Sequence, residues 1–287
     1  MEAVDDDVYQ SIQRKTSLRR KHSMHKGFVL GHSTQAVQKD VGQDFAINSI
    51  HGIFIGSVSH QTPITYYLER LQNSSGCVAR NVEGRQGGKI VFSGIASLTK
   101  KSKQLDAAEK PNNSRRKMSN VPTPESLTNL ETAFVQSKSN DQAVHMPKEF
   151  EKALERLTNL FAENDVEFRA IDQQCWLGPE NEKELARFWV RCRSKFDSDS
   201  NQAALSFLSG LCSEATPGQN KASALSQQTI WFNQVDFQPN EWIYCELSAL
   251  QQRQCGGNFL MGKFWNRSGE ILASSVQEIN LTARAKF

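Results

Sequence analysis

PNEWIYCELSALQQRQCGGNFLMGKFWNRSGEILASSVQEINL, residues 239–281, holds three runs of strand character: EWIYCELSAL (241–250), GNFLMGKFW (257–265) and EILASSVQEINL (270–281). Successive side chains of a strand point to opposite faces, so the last run aligns Ile271, Ala273, Ser275, Gln277, Ile279 and Leu281 on one face. That face is apolar enough to be the buried one, and it carries a primary amide. A buried amide left without partners costs on the order of 1–3 kcal/mol, so Gln277 needs a protein group, a water or a ligand. Two readings stand at this point: a core glutamine satisfied by backbone, or a residue of a functional site.

Upstream of these strands the pattern repeats. GFVLGHSTQAVQKDV (27–41) sets Leu30, Thr34, Val37 and Val41 at helical spacing behind a glycine. FAINSIHGIFIG, ITYYLERL, GCVARNVEGRQ and KIVFSGIASL follow as strands, separated by the turn-rich SVSHQTP, QNSSG and QGG. Residues 99–147 are rich in Ser, Asn, Lys and Pro and show neither helical nor strand period, as expected of a linker. PKEFEKALERLTNLFAEN closes that linker as an amphipathic helix with Phe150, Leu154, Leu157 and Phe161 on one stripe. VEFRAI and LARFWVRC then read as strands, NQAALSFLSGLC as a largely buried helix, and ASALSQQTIWFN as the strand before the final three. The expected organisation is a basic polar arm (1–26), a first α+β unit (27–98), a linker with its helix (99–164) and a second unit (165–287).

Composition narrows the function. The chain has 287 residues, 38% hydrophobic and 23% charged, and its 34 Lys and Arg against 31 Asp and Glu leave a formal charge of only +3. That total gives no argument for a nucleic-acid partner, and the basic run QRKTSLRRKHSMHK has no interleaved aromatic residue. The acidic opening is unlike a secretory signal, and no stretch of uncharged apolar residues is long enough to span a bilayer, so no membrane partner is expected. Six cysteines without a C-x-x-C pair suit reduced thiols, and the histidines cluster no better, so no metal site is expected.

PNEWIYCELSA with GGNFLMGKFWNRSGEILASSVQE resembles the C-terminal half of the type II acyl-CoA thioesterases, the double-hotdog family. NSIHGIFIG, PITYYLERL and CVARNVEGRQGGKIVFSGIASL resemble the family's first hotdog in the same order. The resemblance implies a tandem hotdog, each half a central helix wrapped by an antiparallel sheet. It also implies hydrolysis of an acyl-CoA to free acid and CoA without a cofactor, by an Asp, a Thr or Ser, and a Gln that hold and activate one water. A carboxylate to take the proton, neutral groups to aim the water and N–H donors for the oxyanion suffice for a reactive thioester.

Gln277, in SSVQE, falls on the family's glutamine. The other two positions depart: FLSGL puts Gly210 where the family has Asp, and ALSQQTIWFN puts Leu225 at the hydroxyl position, with Ser226 beside it. Ser226 serves as the hydroxyl only if a bulge shifts the register. Glu214, one turn beyond Gly210, is a candidate replacement base. His32 stands where the family often has Gln in its G-G-x-x-x-G-Q string, beside Gly31 at a helix start, and both are candidate substrate-binding residues together with Gly210 and Leu225.

Lys100, Lys101 and Arg115 are candidates for the CoA phosphates. The alternative reading is a non-catalytic or repurposed acyl-thioester binder in a specialised, secondary-metabolite pathway. A hotdog hydratase is disfavoured because NQAALSFLSGLC carries neither Asp nor His. Oligomeric state is left open, sheet or hotdog pairing being the route to a homo-oligomer. The terminal Ala285, Lys286 and Phe287 are similar to a peroxisomal address, with a cytoplasmic location as the other expectation.

Overall fold

The computed structural model describes residues 1–12, 24–101, 121–129, 132–133, 135–136, 148–171, 185–193, 200–213, 223–234, 236–252 and 258–281. Twelve strands form one antiparallel sheet. They are β1 (Glu2–Asp5), β2 (Val8–Gln10), β3 (Phe45–Phe54), β4 (Thr65–Asn73), β5 (Cys77–Gln86), β6 (Lys89–Lys100), β7 (Val166–Ala170), β8 (Leu185–Cys192), β9 (Ser223–Phe232), β10 (Ile243–Gln252), β11 (Asn258–Trp265) and β12 (Ile271–Leu281). Among the described residues the long helices that accompany them are α1 (Lys26–Val41), α2 (Lys148–Glu163) and α3 (Asn201–Cys212). The sheet order, β1-β2-β4-β5-β6-β3-β9-β12-β11-β10-β8-β7, is symmetric about the β3–β9 junction. Each half is therefore a hairpin or strand pair, a central helix and four strands, the α+β architecture of a tandem hotdog.

That symmetry gives the opening residues a role the basic-arm reading missed. Glu2–Asp5 and Val8–Gln10 form a hairpin whose turn uses Asp7 at φ 57°, a left-handed conformation that Asp tolerates better than most residues. The hairpin docks on β4 through Val8↔Tyr67, Tyr9↔Tyr66 and Gln10↔Thr65, and so occupies the place that β7 and β8 take in the second half. Asp7 also accepts from Arg70 at 2.7 Å, while behind it Asp40 and Arg80 form an ion pair whose side chains are each only 4% exposed.

Helix α1 begins where His25 Nδ1 accepts the Gly27 N–H at 3.0 Å, and it ends at Gly42, φ 89°, whose N–H returns to the Gln38 carbonyl. Both α1 and α3 are buried on most of their faces, as central helices must be. They run antiparallel and touch closely: Phe28 and Phe207 rings lie 4.5 Å apart, Thr34 Oγ1 and Ser206 Oγ 2.9 Å apart, and Gln35 Nε2 donates to Ser200 Oγ. One hydrophobic cluster, from Val29 and Ile50 to Leu208 and Ile279, joins both halves. The two units thus share a core as well as a sheet.

The described part of the connection is packed. Val121 and Leu127 lie against Trp189, Trp242, Tyr244 and Trp265 on the outer face of β8, β10 and β11. Trp189 Nε1 donates to the Pro122 carbonyl at 2.9 Å. In α2, Leu157 and Phe161 are buried as the stripe requires, and Phe161 meets Phe168 with ring centroids 4.8 Å apart. The side chains of Phe150 and Leu154 lie outside the described residues, as do Arg115, Glu214 and the tripeptide Ala285–Phe287.

Candidate active site

On β12 the expected alternation holds for Ala273, Ser275, Gln277 and Ile279, all buried, and fails at its start. A register shift between Phe264 and Trp265 turns Leu272 inward and leaves Ile271 36% exposed. Gln277 is 1% exposed. Its Nε2 donates to the Ser209 carbonyl at 2.8 Å, which satisfies one of the last carbonyls of α3, groups that have no partner within the helix. Its Oε1 has no hydrogen-bond partner among the described residues. Each sequence reading thus describes one end of the same amide: the nitrogen is tied to backbone, and the oxygen is left facing the interior.

Directly across the ladder from Gln277 stands Gln228 of β9, also 1% exposed. Its Nε2 donates to Ser209 Oγ at 2.6 Å, and its Oε1, like that of Gln277, has no partner among the described residues. The orientation of both amides follows from the network. A carbonyl only accepts, so the Gln277 atom on Ser209 O is the nitrogen. Ser209 Oγ spends its single proton on the Ser206 carbonyl at 2.9 Å, so it accepts from Gln228, and the Gln228 atom facing it is also the nitrogen. Two acceptor oxygens are therefore presented by neighbouring strands beside the C-terminal turn of α3.

A third core glutamine shows what full satisfaction looks like in this fold. Gln202 of α3 accepts from the Ile47 N–H at 3.1 Å and donates to the Ile47 carbonyl at 2.7 Å, so both ends of its amide are closed by the backbone of one residue of β3. Gln228 and Gln277 are each half closed. Leaving a buried acceptor unpaired costs on the order of 1–3 kcal/mol, and two adjacent instances point to a site that takes a hydrogen-bond donor.

The remaining candidates fall into different surroundings. Gly210 stands beside the pair: a Cβ built there would lie 3.5 Å from Gln228 Oε1, but only 2.7 Å from Gly27 Cα and 3.2 Å from Gly27 N. The absence of a side chain at 210 is thus a condition of the α1–α3 contact. Gly27 and Gly31 meet the same need from the other helix, since a Cβ on Gly27 would be 2.7 Å from the Phe207 carbonyl and one on Gly31 3.0 Å from that of Ala203. Gly31 therefore sits in the helix crossing. His32 points toward the first-half strands, its ring 6.2 Å from those of Phe28 and Tyr66, and is not brought to the glutamine pair.

Around Ser226 the anticipated bulge exists, because Glu278 pairs with Gln227 and Ile279 with Leu225. Ser226 is its extra residue. The hydroxyl donates to the Glu278 carbonyl at 3.0 Å rather than to either amide, and Leu225 turns inward, 5% exposed, with its own carbonyl accepting from the Lys26 ammonium. Of the residues expected to act together, then, Gln277 and Gly210 are neighbours, while Ser226, Leu225 and His32 make contacts of their own. Gln228 and Ser209 are the participants that the sequence reading passed over. Gln228 shares a buried face with Ile230, so the alternation used for Gln277 marks it as an inward-facing amide as well. Among the described residues no group of His, Cys, Asp and Glu side chains could hold a metal ion, and no helix is long and apolar enough to cross a membrane.

Several known proteins are similar to this chain over nearly its whole length. Acyl-coenzyme A thioesterase 8 of Mus musculus is 23% identical over 97% of this chain and 85% of its own length, and that of Homo sapiens is 22% identical over the same shares. Among solved structures, the acyl-CoA thioesterase II TesB2 of Mycobacterium marinum superposes with a TM-score of 0.70 at 19% identity, covering 100% of this chain and 96% of the other. The tesB protein of Mycobacterium avium subs paratuberculosis gives a TM-score of 0.71 at 17% identity, covering 98% and 96%. At these identities the structural likeness shows the fold. The profile of the acyl-CoA thioesterase C-terminal domain matches residues 138–281, half of the chain, and with that match the chain belongs to the type II acyl-CoA thioesterase family.

Proposed function

We propose that this protein hydrolyses an acyl-CoA thioester to the free acid and CoA, with Gln277 holding the attacking water. The observation that carries the reading is the half-closed amide: Gln277 is fixed by Ser209 through its nitrogen and offers a buried, unpartnered oxygen. A thioester carbonyl is an acceptor only, so Oε1 cannot bind it, whereas a water donates to Oε1 and keeps its lone pairs for the carbonyl carbon. Gln277 and Gln228 are each only 1% exposed, so the water is held away from bulk solvent, where a fixed dipole is worth more. The acyl chain would lie along apolar walls between the helices and the sheet. The exposed Lys100 and Lys101 at the end of β6 are available to the CoA phosphates.

The test is free-CoA release over a panel of straight-chain, branched and aromatic acyl-CoAs, with calorimetric binding measured beside it. At least one acyl-CoA is expected to be cleaved, with kcat falling tenfold or more in Gln277→Ala, the scale seen when an orienting group is removed, about 10²-fold and upward for strong cases. Binding of acyl-CoA without any release would overturn hydrolysis and leave a binding protein.

A further inference from the structure

We propose that Gln228 is a second catalytic residue of this site: its Oε1, together with that of Gln277, accepts hydrogen bonds from the two O–H groups of the attacking water beside Gly210. The inference rests on the hydrolase reading and assigns the group that does the work of the missing carboxylate. Three observations on the molecule carry it.

The first is placement. Gln228 Oε1 lies 3.5 Å from where a Cβ on residue 210 would be, so an acceptor reaches the space a side chain at 210 would enter, but it comes from β9 instead of α3. The second is exclusion. Gly27 Cα stands 2.7 Å from that same Cβ position, so α3 cannot supply the acceptor itself while α1 keeps its seat. The third is polarity. Ser209 takes the nitrogen end of each amide, through its carbonyl for Gln277 and its hydroxyl for Gln228, so in both it is the oxygen that is left without a partner among the described residues. Gln202, by contrast, is closed at both ends by Ile47.

The step balances without a cofactor. The water oxygen forms a bond to the thioester carbonyl carbon, the carbon–sulfur bond breaks, and its electron pair leaves on sulfur. One water proton ends on the CoA thiolate and the other passes to solvent as the product acid ionises. Neutral amides accept hydrogen bonds but take no proton, so Gln228 polarises and aims the water without deprotonating it. A carboxylate in the same place would also serve as base, a contribution of about 10²–10⁴ in rate. Gln228→Glu puts one there, since the Ser209 hydroxyl can turn from the Ser206 carbonyl to donate to it.

The experiment measures kcat and KM for CoA release by wild type, Gln228→Met and Gln228→Glu from mildly acidic to mildly basic pH, with urea unfolding of each to establish that it is folded. Met keeps the length of the side chain and removes the acceptor; kcat is expected to fall about tenfold or more with KM within about twofold. Glu is expected to raise kcat at least about tenfold and to add an acid limb to the pH profile that wild type lacks. Wild-type kcat in Gln228→Met overturns the inference, as does a folded Gln228→Glu with neither gain nor new limb. Should Glu fail to fold, the neutral Met variant decides alone. In all these cases wild-type turnover that still depends on Gln277 leaves the hydrolase reading standing. If wild type cleaves no acyl-CoA, the hydrolase reading fails first and takes this inference with it.

Discussion

Replacing Gly210 by alanine tests whether the helix crossing, rather than the chemistry, dictates the glycine. In an open helical position this change is favourable by about 1 kcal/mol, because alanine loses less backbone entropy and is the better helix former. Here the new methyl would lie 2.7 Å from Gly27 Cα, whereas carbon atoms rest about 3.5–4.0 Å apart, so α1 and α3 must separate by close to 1 Å. Neither partner can give cheaply, since both are backbone and Gly27 is itself pressed against the Phe207 carbonyl. Overpacking of this kind costs about 1–3 kcal/mol, so the net change is a loss of up to about 2 kcal/mol, opposite in sign to the open-helix expectation. Urea unfolding followed by the fluorescence of Trp189, Trp242 and Trp265 gives the midpoint. A Gly210→Ala midpoint at or above wild type would refute the packing argument. Gly210→Asp adds a buried carboxylate to the same clash, so Gly210→Asp with Leu225→Thr is expected to lose stability and to gain no CoA release.

Gln277→Ala should cost about 1–3 kcal/mol in addition to turnover, because it strips the partner from the Ser209 carbonyl; an unchanged urea midpoint would contradict that contact. Arg80→Met leaves Asp40 buried without its partner, and a loss of about 3–5 kcal/mol is expected by the same unfolding measurement. Burial alone would raise the Glu167 carboxyl, but hydrogen bonds and charge from Arg169 and Arg191 hold it below its ordinary value of 4.5. A depressed carboxyl contributes stability that is present above that value and lost as pH falls through the lower folded one. Glu167→Gln should therefore flatten the loss of stability below pH 4.5, and an unchanged acid slope would show the arginines to be uncoupled from it. Deleting residues 1–10 uncovers the β4 edge, so the shortened chain should self-associate on a sizing column as concentration rises.

Where a run had a buried face and strong turn residues at its ends, the sequence was enough: β3 to β6, β8, β10, β11 and both central helices fall on the quoted strings. The hairpin at residues 2–10 escaped because it is a sheet edge. Its first strand is exposed throughout and its turn is Asp6 and Asp7, so no apolar alternation marks it. The site was legible through one residue, Gln277, because β12 keeps its alternation there. Gln228 is marked by its alternation with the buried Ile230, whereas the bulge at Ser226 hides that Leu225 lies on the same inward face although it is three residues away. A register shift belongs to the pairing of two strands distant in sequence, and local pattern does not contain it. The meaning of Gly210 was hidden likewise. A missing carboxylate can be read from one position, but the reason a side chain cannot stand there is Gly27, in the other half of the chain.

That last contact limits how the two halves can be exchanged. Gly27 and Gly31 belong by chain position to the first repeat, yet they set how close α3 comes and hence where Ser209 holds its two amides. A chimera that takes its first half from a relative inherits the site only if that donor brings an equally bare helix face, whatever its second half contains. Conversely, a substitution at residue 27 or 31 acts on the glutamine pair from the far side of the duplication, and variation there belongs with the active-site positions when sequences of this type are sorted by activity.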